Sequence, residues 1–409
     1  MLNGPLGRLA GVGARQAAFY LMAFLVQLGM GIMAPVLPEV KETFGVSTAA
    51  VSLTISAYGL ARLALDLPAG VFVERLRPFL LLLAGTATIS LGALLGSLGP
   101  SFELVIAARA VMGAGSALCM MTSQYGLSRL ATPENRGRVL GYYQAAMLAG
   151  SSFSPGIGGA IAVIAGWRAS FAFCAATALL AFTSVALTQR CQIGPAPAST
   201  ERVGAPRSRA ESLSRRALYN FGIVNCVTFV LFFHSGGFVS TVVPVLGDAN
   251  LGLDAAAIGL AISLGTVVRF SAALAGGNLS DRYGRRAILI PGLAIMGLGA
   301  LMFNFASSVA LFTAAIMVMA LGRFGNSLPT TIIIDQTPPR LWGRAIGINR
   351  FTGDIGAVVG PLALGWVVDH FGLGVSTYVM VALVWGVMLL ALFALREAPR
   401  RRSELAART

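Results

Sequence analysis

Side chains that could carry a proton or hold a charged ligand are scarce in this chain, and their positions are unusual. Arg62 and Asp66 stand four residues apart inside one apolar run, and Arg350 and Asp354 repeat that spacing inside another. Arg109, Arg269 and Arg323 occupy three more such runs, and Arg269 has no acidic residue three or four positions away. An ionised side chain within hydrocarbon is costly and marks a functional position by default. A carboxyl group beside an arginine can gain or lose a proton as its surroundings change. Asp66, Asp354, Glu103 and His234 are the titratable candidates for such a role, with Asp354 the first choice. His234 stands among Phe229, Phe232, Phe233 and Phe238, where a packed contact between helices is the commoner role for a lone histidine. Gln27, Gln124, Asn225 and Asn326 are the polar candidates for hydrogen bonding to a ligand, with Phe229 and Phe233 as aromatic walls.

The elements that must position these groups are legible in the hydropathy. Of 409 residues, 56% are hydrophobic and 11% charged, with a mean hydropathy of +0.78, against roughly 25% charged in an average soluble domain. Twelve apolar runs are each long enough to cross a hydrocarbon core of about 30 Å. They fall near residues 17–37, 49–73, 79–98, 102–127, 139–165, 169–189, 218–245, 255–279, 287–306, 309–333, 345–368 and 376–395. The expected fold class is therefore an all-α membrane protein. The first run follows Arg15 without a convincing small-residue cleavage site, so it reads as a retained helix.

A net charge of +14 suggests a nucleic-acid partner only if the basic residues share a face. They do not. In the twelve-span arrangement 23 of the 30 lie in alternate loops and the tails, five lie within spans, and only Lys41 and Arg168 fall on the opposite side. By the positive-inside bias, both termini are cytoplasmic. Residues 190–217 form the longest polar stretch and read as a cytoplasmic linker between a first half, 1–189, and a second half, 218–409. The four cysteines show no CxxC spacing, which argues against a disulfide framework or a zinc site.

The halves repeat. Arg62 and Arg269, Gly70 and Gly277, Glu74 and Asp281, and Arg75 and Arg282 are each 207 residues apart. Gly137/Gly343, Arg138/Arg344, Gly141/Gly347, Gly150/Gly356 and Pro155/Pro361 are each 206 apart. Two six-helix units in the same orientation are the plan of many secondary transporters, with the substrate near the midplane between them.

Three motifs resemble the major facilitator superfamily, and the likeness covers nearly the whole chain. Gly277, Asp281, Arg282, Gly284, Arg285 and Arg286 match its loop signature between the second and third helices of a half, and Gly70, Glu74 and Arg75 form a degraded copy in the first half. Arg109, followed by Gly113 and Gly115, is similar to the embedded-arginine motif associated with proton coupling. Gly141, Gly150, Ser154, Pro155, Gly158 and Gly159 resemble the signature of drug/proton antiporters, departing by Ser154 in place of glycine. Gly150, Ser154 and Gly158 recur every four residues, which bares one helix face to close approach.

The resemblance implies two pseudo-symmetric six-helix bundles, with a cavity lined by the first, fourth, seventh and tenth helices. It also implies that the second and eleventh helices face each other. Counting about 1.5 Å of rise per residue, the depths then match crosswise, Arg62 with Asp354 and Asp66 with Arg350. Paired across the halves, these residues would gate the cytoplasmic side; paired i,i+4 within each helix, they would not. The functional expectation is a proton-coupled antiporter exporting a small amphipathic or weakly anionic compound by alternating access. The alternative is an importer or facilitator of a small organic anion, suggested by the excess of embedded arginine. No nucleophile–base pair, HExxH or phosphate loop points to an enzyme, and no cofactor or metal is expected. The expected partners are a small-molecule substrate, protons and the lipid bilayer, with no nucleic acid and a monomeric chain. Arginine makes up 29 of the 30 basic residues, a usage that points to a bacterial source and so to the inner membrane.

Overall fold

In a bilayer core every backbone N–H and C=O must be satisfied within the chain, so long apolar runs become helices. The computed structural model describes residues 5–131, 136–189, 215–325, 328–338 and 341–395, and no strand occurs among them. Among the described residues twelve helices are long and apolar enough to span a membrane: α1 (Gln16–Phe44), α2 (Thr48–Asp66), α3 (Pro78–Leu98), α4 (Phe102–Leu130), α5 (Val139–Ala165), α6 (Trp167–Leu187), α7 (Ala217–Leu251), α8 (Ala255–Ala273), α9 (Arg285–Phe305), α10 (Val309–Gln336), α11 (Arg344–Phe371) and α12 (Leu373–Ala394). Helix continues beyond α2 to Arg75 and beyond α8 to Tyr283.

Several helices outrun their hydropathy windows. After a turn at Gly31 and Ile32, α1 resumes as Met33–Phe44, placing Lys41 in helix rather than loop. α7 passes through a π-helical stretch, His234–Val242, before closing as Val243–Leu251. α10 tightens into a 3₁₀ turn at Gly322–Gly325.

The repeat is written in the backbone as well. Gly45 and Gly252 end α1 and α7 in the left-handed region, with φ of 61° and 60°. Gly166 and Gly372, with φ of 79° and 87°, make the matching turns before α6 and α12. Only glycine enters that region without steric cost. N-caps repeat at the same offset. Ser47 accepts from the N–H of Ala50 at the start of α2, and Asp254 from that of Ala257 at the start of α8. Ser101 and Ser308 do the same for α4 and α10. Each side-chain cap satisfies an orphan donor of a first turn. The repeat breaks at Gly284, with φ of 106°, whose first-half counterpart Arg77 has φ of −68° and precedes Pro78.

Within the first half α3 packs on α4 and α6, α2 on α4, and α1 on α5 and α6. In the second half α9 packs on α10 and α12, α8 on α10, and α11 on α7. The halves meet along α2 with α11 and α5 with α8, and where Met33–Phe44 of α1 meets the end of α7.

Candidate functional site

The seam between α2 and α11 brings together four of the charged residues singled out by spacing. Asp66 Oδ2 lies 3.9 Å from Arg62 Nε on its own helix and 3.8 Å from Arg350 Nη2 across the seam. The carboxylate therefore makes the intrahelical pair and the crosswise pair together. Asp354 completes the cluster, within electrostatic reach of Arg62, Arg350 and Asp66. Neither Asp66 oxygen nor Arg62 Nε gains a hydrogen bond among the described residues. Pairs of this length hold by charge more than by hydrogen-bond geometry, and such pairs can exchange partners.

Toward the end of the bundle away from the arginine-rich loops, α2 and α11 approach more closely. Ser56 donates to the Val358 carbonyl at 2.7 Å. A Cβ on Gly365 would come within 2.7 Å of Ser52 Oγ, so the helices could not close on a larger residue there. At the tip, Asp369 accepts from the backbone N–H groups of Thr48 and Ala49 at 2.8 and 2.7 Å. A carboxylate of one half thus caps a helix N-terminus of the other, where charge and dipole add. Asp369 was not among the residues singled out from the sequence. Its partners are 321 and 320 residues away, and an acid near a span end carries no local signature.

The small residues of α5 have two different neighbours. A Cβ on Gly150 would lie 2.4 Å from the Phe24 carbonyl oxygen, and one on Gly158 would lie 2.5 Å from the Ile32 side chain, both on α1. Ser154, the departure from the antiporter signature, donates to the Leu28 carbonyl at 2.5 Å and so joins the same face. The opposite face meets α8 across the halves. There a Cβ on Gly159 would fall 1.9 Å from the Ala255 carbonyl oxygen, and one on Gly259 2.2 Å from that of Pro155. Ser263 Oγ accepts from the Gly156 N–H at 2.9 Å. α11 repeats the α5 pattern, with Gly356 and Gly360 against the Phe229 and Phe233 carbonyls of α7. Gly141 has nothing within 4 Å of a Cβ, so close packing does not explain that position of the motif.

Arg109 is 5% exposed in the first half, donates from Nε to the Thr54 carbonyl at 3.2 Å, and lies 4.8 Å from the centre of the Tyr58 ring. With Gly29, Met112 and Cys174 it lines a small void between α1, α4 and α6. His234 is fully buried at the first residue of the π-helical stretch, stacked on Phe238, and neither ring nitrogen finds a partner among the described residues. It shares a cavity with Arg269 and Arg323. Arg323 donates to Ser235 at 3.3 Å, and Asp335 pairs with Arg285 at 3.3 Å.

The remaining candidates separate. Gln27 lines a void with Cys119, Ser123 and Tyr143, and Gln124 is half-buried on α4. Asn225 donates to Phe221 and accepts from Asn349, which also donates to Thr228 at 2.7 Å. Asn349, 3% exposed, is a polar anchor between α7 and α11 that spacing alone did not reveal. Phe229 is half-buried, whereas Phe233 is packed in the core of the second half and forms no open wall. Asn326 lies outside the described residues.

In the second-half loop motif, Arg285 also donates to Ser280 at 2.8 Å, Arg286 donates to the Leu392 carbonyl, and Arg282 lies over Tyr283. These contacts tie the ends of α8, α9, α10 and α12. The surroundings of Gly70 and Gly277 and the side chains of Glu74, Arg75 and Asp281 lie outside the described residues, as do residues 190–214 of the linker. Glu103 occupies the first turn of α4, where a negative charge complements the helix dipole. Among the described residues no group of His, Cys, Asp and Glu could hold a metal.

Comparison with known proteins gives a consistent result. The model of the Major Facilitator Superfamily matches residues 19–249 and 224–409. The multidrug efflux pump LfrA of Mycolicibacterium smegmatis is 24% identical, over 87% of this chain and 80% of its own length. Multidrug resistance protein 2 of Bacillus subtilis is 23% identical, over 88% and 90%. Among solved structures, a bacterial homologue of the human lysosomal transporter Spinster, in an inward-facing and occupied conformation, superimposes with a TM-score of 0.79 at 17% identity, covering 94% of this chain and 98% of that one.

Proposed function

Since the chain belongs to the major facilitator superfamily of membrane transporters, we propose that it is a proton-driven antiporter, exporting a small amphipathic or weakly anionic compound by alternating access of its two halves. The observation that carries this reading is the Arg62–Asp66–Arg350–Asp354 cluster on the seam where α2 meets α11. An acid held between two arginines of opposite halves links a proton to the closure of that seam. Protonation of Asp354 removes the charge that draws Arg62 toward α11, and deprotonation restores it. The α5–α1 and α5–α8 packing of the antiporter-like motif supports export, as do the multidrug pumps among the relatives. Family-wide alternation would have the second half rock on the first about the midplane site. The orientation proposed from charge has both termini in the cytoplasm of a bacterial inner membrane. Each chain holds both halves of its own pathway and works as a monomer.

Purified protein in liposomes with an imposed pH gradient tests the reading against lipophilic cations, neutral amphiphiles and organic anions. Antiport predicts that particular compounds dissipate the gradient. Exchange or accumulation of anions without proton movement would replace it with an anion importer or facilitator, a reading that Arg269 and Arg323 in one cavity favour.

A further inference from the structure

Among the described residues, every ionisable side chain lining one cavity of the second half is basic. His234 of α7, Arg269 of α8 and Arg323 of α10 face it, beside Thr266 and the apolar Ile316 and Met319. Arg62, the repeat mate of Arg269, has Asp66 one turn away, but at the same 207-residue offset Asp66 becomes Ala273. The second half has kept the arginine without its acid. Arg269 makes no ion pair or hydrogen bond among the described residues, and it lies within electrostatic reach of Arg323. Arg323 is 7% exposed and His234 fully buried, with both ring nitrogens unsatisfied. Two guanidinium groups sharing a poorly solvated space repel one another, and a buried polar group without a partner carries a desolvation cost.

An anion entering the cavity would relieve both. We infer that this cavity is a subsite for an organic carboxylate, gripped by Arg269 and Arg323, with an N–H of His234 as a third donor and the apolar walls receiving the attached body. The planar fork of each guanidinium suits a carboxylate, and an apolar pocket with a few converging polar groups is the usual build of a small-molecule site. Backbone irregularities place two of the three groups. His234 opens the π-helical stretch, and Arg323 sits in the 3₁₀ turn of α10. Such departures from α-helix recur at functional sites. The inference rests on the export reading for the direction in which the anion travels, not for its binding.

The test is equilibrium binding to the full-length protein in lipid nanodiscs, without any gradient, at pH 7.5 and fixed ionic strength. Benzoate and octanoate are the probes, with benzamide as the neutral match and chloride as the inorganic anion. The carboxylates should bind at least tenfold more tightly than benzamide. Arg269→Gln and Arg323→Gln should each weaken benzoate binding at least tenfold, and Arg269→Lys should recover part of the loss. Size-exclusion profiles identify the variants that fold, and the wild-type comparison of benzoate with benzamide decides the matter without them. Equal binding of benzoate and benzamide, binding of chloride alone, or wild-type benzoate affinity in the folded glutamine variants would overturn the subsite. Failure of proton coupling in liposomes with carboxylate binding intact would remove the antiport reading and leave the subsite standing.

Discussion

Asp66 is the residue on which the seam turns, since one oxygen faces arginines of both halves at 3.8 and 3.9 Å. Partly exposed ion pairs of this length contribute about 1 kcal/mol or less, so they bias a conformational equilibrium rather than lock it. Asp66→Asn is predicted to shift the balance between inward-open and outward-open forms by up to about fivefold, read as a change in interhalf spin-label distance populations. Unchanged populations would show that Arg350 does not depend on this acid. Sequence alone reached these four residues because charge within an apolar run is conspicuous at any depth. It could not choose between the intrahelical and the crosswise pairing, and Asp66 makes both. Nor does spacing show that Arg323, in a 3₁₀ turn, donates to Ser235 while Asp335 pairs with Arg285.

At the scale of elements, α5 is held by what small residues on it and on its neighbour α8 lack. A Cβ on Gly259 would lie 2.2 Å from the Pro155 carbonyl, whereas one on Gly141 would meet nothing within 4 Å. Gly259→Ala should therefore push α5 from α8, at a cost of about 1–3 kcal/mol for overpacking, with a lower melting temperature and slowed transport. Gly141→Ala should leave stability unchanged or raise it by up to about 1 kcal/mol through helix propensity. Equal melting temperatures for the two variants would contradict the packing account. The four-residue rhythm of α5 was legible in the sequence, but which partner each face met was not. That depends on the rotation of the helix in the bundle, which the spacing does not fix. The π-helical stretch of α7 was equally silent, since it changes the hydrogen-bond register without changing the composition.

For the whole molecule, the twelve spans and the repeat could be read from hydropathy and offset because lipid leaves the backbone few choices. Contacts between the halves could not, because they join residues from about 100 to more than 300 positions apart. Asp369 capping α2 is the clearest case, and it closes the end of the seam remote from the arginine-rich loops. Asp369→Asn keeps the shape but loses the charge that the helix terminus favours, a loss of about 1 kcal/mol at an exposed site. The predicted result is up to about a fivefold gain in outward-open molecules, seen as faster labelling of an engineered cysteine in the cavity by an impermeant reagent added outside. No change in labelling would mean that the cap does not hold this end closed.

Coupling between the seam and the proton is tested most directly by comparing wild type with Asp354→Asn in liposomes loaded with a substrate found in the gradient assay. Two readings are taken on the same vesicles, substrate exchange at equal pH and substrate movement driven by an imposed pH gradient. The account predicts that Asp354→Asn keeps exchange within about threefold of wild type and loses gradient-driven movement at least about tenfold, since an amide cannot release and rebind the coupled proton. Gradient-driven transport at the wild-type rate in that variant would contradict it.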